Sequence, residues 1–205
     1  MNTSIMKMRA LATAIAALAI LSPLAGCGRG AEQPAPPLAG AALGGPFILI
    51  DQDGRAVTDR DYAGRYRAVY FGYTFCPDVC PTTLAKLMAG VHAFAATSPA
   101  LAAKVAPIFI TVDPDRDTPA VLKQYVAAFG PELTGLTGTP AQIAGVAKDY
   151  GVYFHKQPVA KGASGYLMDH SSQAILFGPD GKPIALLPAD ESGDAVAAEL
   201  GRWVR

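Results

Sequence analysis

An α/β sandwich is the fold this sequence predicts, opened by a β-hairpin and carrying an insertion before its last hairpin. Three observations predict it. Two short apolar runs rich in β-branched and aromatic residues, Arg67–Tyr73 and Lys104–Val112, read as buried central strands. Apolar stripes at helical spacing follow each run. Near the end, Gly178-Pro179-Asp180-Gly181 is a strong turn between two further apolar runs.

Taken in order, Phe47–Asp51 and Arg55–Thr58 flank a Gln52-Asp53-Gly54 turn and form the opening hairpin. Asp61–Tyr66 connects it to the first central strand. A helix follows from near Cys80 to about Thr97, its buried stripe made by Leu84, Leu87, Met88, Val91 and Phe94. After the second strand, Thr118 as N-cap and Pro119 in the first turn start a helix that Gly130-Pro131 ends. Thr139-Pro140 repeats that start for a helix to about Tyr150. Gly151–Gly165 is the insertion, with a short strand at Val152–His155. Gln173–Phe177 and Pro183–Leu187 make the last hairpin, and Asp194–Val204 the last helix. Strand, helix, strand, two helices, hairpin, helix is a thioredoxin-like order.

The 205 residues are 51% hydrophobic and 17% charged, enough for one domain with a good core once a leader is removed. Met1–Arg9 is a basic n-region and Ala10–Leu21 an apolar run too short for an ordinary membrane span. Leu24-Ala25-Gly26-Cys27 resembles a bacterial lipobox, which makes Cys27 the lipidated first residue. This gives a signal peptide at 1–26, a Gly/Ala/Pro-rich flexible tether at 27–46 and a folded domain at 47–205. The domain is expected in the bacterial cell envelope, lipid-anchored to a membrane and facing the periplasm. Without the leader the chain has 15 basic and 17 acidic residues, net −2, and no basic patch, so nucleic acid is not an expected partner.

With Cys27 set aside, Cys76 and Cys80 remain as a pair in Tyr70–Leu84, at a strand-to-helix junction. On a helix, residues four apart share one face, with Cβ atoms about 5–6 Å apart. That is long for an unadjusted disulfide and suits two thiolates on one metal. Pro77 and Pro81 favour a helix start, where thiols ionise more readily. Thiolate is both metal ligand and redox nucleophile, so both chemistries stay open.

Three histidines offer a nitrogen ligand. His92 lies mid-helix and His155 ends a strand in the insertion, and both read as surface residues. His170, in Tyr166–Ser171, directly precedes a core strand. In a thioredoxin-like sheet that loop lies beside the cysteine-bearing helix start, where thioredoxins carry a cis-proline. No proline occurs in this loop, so a histidine there can reach both sulfurs.

Cys-Pro-Asp-Val-Cys-Pro (Cys76–Pro81), the Asp113–Pro119 loop and Asp169-His170-Ser171 together resemble the Sco/SenC family of copper-binding thioredoxin-like proteins. These assist assembly of the dinuclear copper centre of cytochrome c oxidase. The resemblance implies that Cys76, Cys80 and His170 bind copper, as Cu(I), Cu(II) or both. It also implies as partner the copper-bearing oxidase subunit, another periplasmic copper chaperone, or both. Two thiolates and an imidazole suit this ion. Asp78, between the cysteines, is a candidate outer group, with a helix N-cap as the simpler role. Asp113 is a candidate second layer behind the ligands or a loop organiser. The competing reading is a tethered thiol-disulfide reductase in which Cys76 and Cys80 cycle through a disulfide.

Overall fold

The computed structural model describes residues 34–158 and 165–205. The leader and Cys27 lie outside them. A seven-stranded sheet forms the centre, in the order β2-β1-β5-β4-β3-β8-β9. The opening hairpin is β1 (Ile48–Asp51) and β2 (Ala56–Thr58), and the closing hairpin is β8 (Ala174–Phe177) and β9 (Pro183–Leu187). Between them run β3 (Tyr66–Gly72), β4 (Val105–Thr111) and β5 (Thr134–Thr137). β3 pairs in parallel with β4, and β4 with β5, whereas β8 runs antiparallel to β3. Every residue of β3 and β4 is buried, as a parallel strand covered on both faces must be.

The helices are α1 (Val79–Thr97), a single turn α2 (Pro99–Ala102), α3 (Pro119–Ala127), α4 (Pro140–Asp149) and α5 (Gly193–Trp203). Three start as side-chain chemistry dictates. Thr118, Thr139 and Ser192 accept hydrogen bonds from Val121, Gln142 and Ala195, satisfying N–H groups that the helix leaves open. On α1 the residues Leu84, Leu87, Met88, Val91 and Phe94 are buried, and Cys80 begins the same stripe. α1 and α5 cross with their backbones nearly touching at Gly90 and Gly193. A methyl on Gly90 would lie 2.7 Å from the Gly193 carbonyl.

The structure departs from the sequence reading in three places. β5 was not expected. Its four residues include Gly135, and a run so short carries no periodicity. The insertion forms a separate two-stranded ribbon, β6 (Phe154–Lys156) and β7 (Met168–His170), so the segment expected as a loop before β8 is a strand. The expected tether is fixed from Leu38 onward. Leu38 N donates to the Ile184 carbonyl, Gly44 N donates to the Asp149 carbonyl, and Leu38 packs on the core. The compact unit therefore begins at Ala35, not at Phe47. Gly44 suits this path, with a φ of 88°, close to the 81° of Gly40, and a neighbouring Phe177 ring that would meet any Cβ at 2.8 Å.

β3 and β4 both end at the same edge of the sheet. Their loops bring Thr74–Asp78 beside Asp113–Thr118, at the carboxyl ends of parallel strands where α/β sheets place their chemistry.

Candidate metal-binding and thiol site

Cys80 is fully buried at the start of α1, and Cys76 is half-buried in the loop before it. Both are free thiols. His170 arrives on the separate ribbon, its Nε2 3.1 Å from the Cys80 Sγ. Its Nδ1 lies 2.8 Å from the Ser171 carbonyl, an atom that can only accept, so the Nδ1–H donates there. Nε2 then carries the lone pair, and it points at the sulfur. The rings of Tyr73 and Tyr70 meet the imidazole edge-on, with centroids 5.9 and 6.4 Å away. Burial holds the His170 pKa below the ordinary imidazole value, against a pull upward from the Ser171 backbone and Asp169. The ring is neutral at neutral pH.

The two thiols differ electrically. Burial pushes Cys80 up to about 12. Burial also opposes ionisation of Cys76, yet backbone N–H groups of Asp78 and Cys80, with help from the Cys80 and Tyr73 side chains, bring its pKa down on balance. The Cys80 N–H reaches the Cys76 sulfur at 3.4 Å. That sulfur thus takes the capping place expected of Asp78. Asp78 occupies the N-cap position, but its side chain makes no cap hydrogen bond and is exposed. Iodoacetamide at neutral pH is therefore expected to modify Cys76 well before Cys80, read by mass spectrometry of the digested chain. Equal labelling would show that the asymmetry is absent.

A second layer holds the loops. Asp113 is buried and accepts from the Tyr166 hydroxyl at 2.7 Å and from Arg116 Nε. Arg116 also donates to the Tyr166 carbonyl at 2.9 Å and lies over the rings of Tyr166 and Phe75, 3.7 and 4.8 Å from their centroids. Asp113 thus organises its loop and, through Arg116 and Tyr166, ties the chain leading to His170 to the chain leading to Cys76. Asp117 is fully buried and accepts from Thr74 N, the Thr74 hydroxyl and the Thr111 hydroxyl at 3.0, 2.6 and 2.6 Å. It pins the cysteine loop to β4. Gly72 leaves room for the sulfur, since a Cβ there would lie 3.2 Å from the Cys80 Sγ. Sequence reasoning passed over Arg116, Asp117 and Gly72. The one available signal was the run of charged residues in a loop that also had to cap a helix.

His92 is exposed and pairs with Glu132, and His155 is exposed on β6 opposite Asp169. Their partners among the described residues lie on Glu132 and on β7, not on the thiols. Among the described residues, no three of His, Cys, Asp and Glu already stand as a metal-holding cluster. The structure joins Cys80 to His170, while the Cys76 sulfur is turned to the helix N–H groups. A sulfur and a nitrogen on one transition-metal ion, with bonds near 2.3 and 2.0 Å as for zinc, lie about 3.6 Å apart. The pair at 3.1 Å needs to open by only about half an ångström to admit an ion, and its donor types are those a soft metal takes.

The SCO1/SenC family model matches residues 35–205, the whole compact unit. The mitochondrial SCO1 homologue 1 of Arabidopsis thaliana is 44% identical over 140 residues, which are 68% of this chain and 40% of that protein. The chain spans 40–60% of the length of the first such curated relatives. A copper-bound structure of ScoI from Bradyrhizobium japonicum has 44% identity and a TM-score of 0.71, covering 80% of this chain and 100% of that one. BsSco, described as a Sco-family cytochrome c oxidase assembly protein with a disulfide switch, has 25% identity and a TM-score of 0.61, covering 78% and 92%. A match spanning every residue from Ala35 to the last, on a thioredoxin-like fold shared with copper-bound relatives, places this chain in the SCO1/SenC family.

Proposed function

We propose that the chain is a copper metallochaperone. Copper is its cargo, held by Cys76, Cys80 and His170 and passed by ligand exchange to the dinuclear copper site of cytochrome c oxidase. One observation carries this reading. The lone pair of His170 Nε2 faces the sulfur of Cys80 across a sequence separation of 90 residues. Cys76 completes the set by turning its sulfur from the helix N–H groups toward the other two. Its lowered pKa favours the thiolate that a metal requires. The copper-bound relatives support the choice of ion, and the oxidase-assembly role of BsSco supports the choice of target.

X-ray absorption tests the ligand set. The reduced mature chain, carrying Cys27→Ser to remove the third thiol, is expected to load one Cu(I) with two sulfur neighbours and one nitrogen neighbour. A site with sulfur neighbours alone would remove the histidine. The Leu24-Ala25-Gly26-Cys27 order supports a lipid anchor at Cys27 on the outer side of a bacterial cell membrane. A palmitate analogue is expected to label the wild-type protein and leave Cys27→Ser unlabelled.

A second reading is favoured by the thiol asymmetry. A half-exposed, readily ionised Cys76 beside a buried, protonated Cys80 is the arrangement of an attacking and a resolving thiol. The chain would then reduce the copper-site cysteines of its target: Cys76 attacks the target disulfide, and Cys80 releases the mixed disulfide while closing its own. His170 supplies neither the attacking nor the resolving sulfur in that exchange, so its removal should cost copper binding far more than dithiol exchange and thereby separate the two roles.

A further inference from the structure

Tyr70 stands on β3 two residues before Gly72 and is fully buried. Among the described residues, its hydroxyl is one of three buried side-chain polar atoms without a hydrogen-bond partner, together with Tyr125 Oη and Arg116 Nη2. A buried hydroxyl left unpaired costs about 1–3 kcal/mol, so such a group invites a partner that arrives in another state. Its surroundings name that partner. A Cβ on Gly72 would lie 3.2 Å from the Tyr70 ring edge at Cε1 and 3.2 Å from the Cys80 sulfur, so the ring and the sulfur share one gap. After its own burial, the charge of Cys80 is the largest influence that raises the Tyr70 pKa, while Thr83, three residues further along α1, pulls it down.

In the thiol form Cys80 acts as a donor, because the His170 nitrogen that faces it is an acceptor. Exchanging the thiol proton for a metal reverses that role. The sulfur becomes an anion in a dry site, and a buried anion needs donors. A phenol hydrogen swings about its C–O bond without any ring movement, so the change needs no repacking.

We infer that the Tyr70 hydroxyl is held in reserve as a hydrogen-bond donor to the Cys80 sulfur when that sulfur holds copper. Tyr70 is a positioning residue, and the assignment rests on Cys80 as a copper ligand. Tyr125 is the control. Its hydroxyl is equally buried and unpaired, and it feels the charge of Cys80 without a hydrogen bond to it.

The test uses the mature chain with Cys27→Ser, with and without Tyr70→Phe or Tyr125→Phe. Thermal unfolding of the metal-free protein and the thiolate-to-copper charge-transfer band of the Cu(II)-loaded protein are measured, with copper affinity by chelator competition. Metal-free Tyr70→Phe is expected to unfold at the parent temperature or above, since it loses only an unpaired group. Its copper affinity should fall by about ten- to a hundredfold and its band should move to lower energy. Tyr125→Phe should leave the band in place. An unchanged band and affinity in Tyr70→Phe, or an equal shift in Tyr125→Phe, overturns the inference. So does a metal-free Tyr70→Phe destabilised as much as its loaded form. If the parent shows neither a thiolate-to-copper band nor copper binding in the chelator competition, the copper reading itself has failed, and that result is plainly different from a band and an affinity indifferent to Tyr70.

Discussion

His170→Ala is expected to lower copper affinity by more than a hundredfold while leaving dithiol exchange by Cys76 and Cys80 intact. Losing a group that merely supports a ligand costs about 10–100-fold, and here a ligand itself is lost. The fold should tolerate the change, because His170 ends a ribbon outside the seven-stranded sheet. Two local hydrogen bonds disappear, from Cys80 to Nε2 and from Nδ1 to the Ser171 carbonyl. The pH profile gives an independent check. The folded state depresses the pKa of His170, so protons bind the unfolded chain more readily. Its contribution to stability is complete above the unfolded value near 6.5 and is lost as pH falls through the lower folded value. The alanine variant should lack that part of the acid slope. Competition against a Cu(I) chelator, a disulfide-exchange assay and urea unfolding at several pH values measure the three effects. Parent-like copper affinity would take the imidazole out of the site, and loss of exchange would show that metal and thiol chemistry are not separable here.

Gly90→Ala is expected to destabilise the fold by at least ~2–3 kcal/mol, seen as a lower urea midpoint at unchanged slope. In an ordinary helix the same change would stabilise by about 1 kcal/mol. At this position the new methyl would lie 2.5 Å from both Cβ and Cγ1 of Val196 and 2.7 Å from the Gly193 carbonyl oxygen. None of these is the loose end of a flexible chain. Two are backbone or rigidly attached to it, and all belong to α5, so the helices would have to part along their whole contact. α1 carries Cys80 at its other end, and its displacement should reach the thiol pair. A midpoint equal to or above the parent would show that α5 slides without cost.

What the sequence revealed, and what it hid, follows from how each role arises. Cys76, Cys80 and His170 belong to residue types that carry chemistry by themselves, and spacing and fold order were enough to expect them together. Cys80 and His170 do meet, whereas the orientation of the Cys76 sulfur depends on helix N–H groups that no pattern displays. Thr118 and Thr139 announced their helices because an N-cap is a local device. β5 escaped, since Thr134–Thr137 is held by its neighbours β1 and β4 and has too few residues to show a period. Gly/Ala/Pro composition made residues 35–46 read as part of a flexible tether, whereas hydrogen bonds to remote carbonyls and the packing of Leu38 on the core fix them. Gly72, Tyr70, Arg116 and Asp117 are ordinary residue types whose importance is created entirely by what folding sets beside them.

The imidazole is mounted on an outboard arm and the sulfurs on the frame. Met168–His170 pairs with Phe154–Lys156 and not with the seven-stranded sheet, whereas Cys80 is sunk at the head of α1. On the proposed ligand set, this difference in mounting sets an expected order of release: the nitrogen on the ribbon first, Cys76 next from its half-buried position, and the deep sulfur of Cys80 last. X-ray absorption on a trapped transfer complex should accordingly lose its nitrogen neighbour before either sulfur.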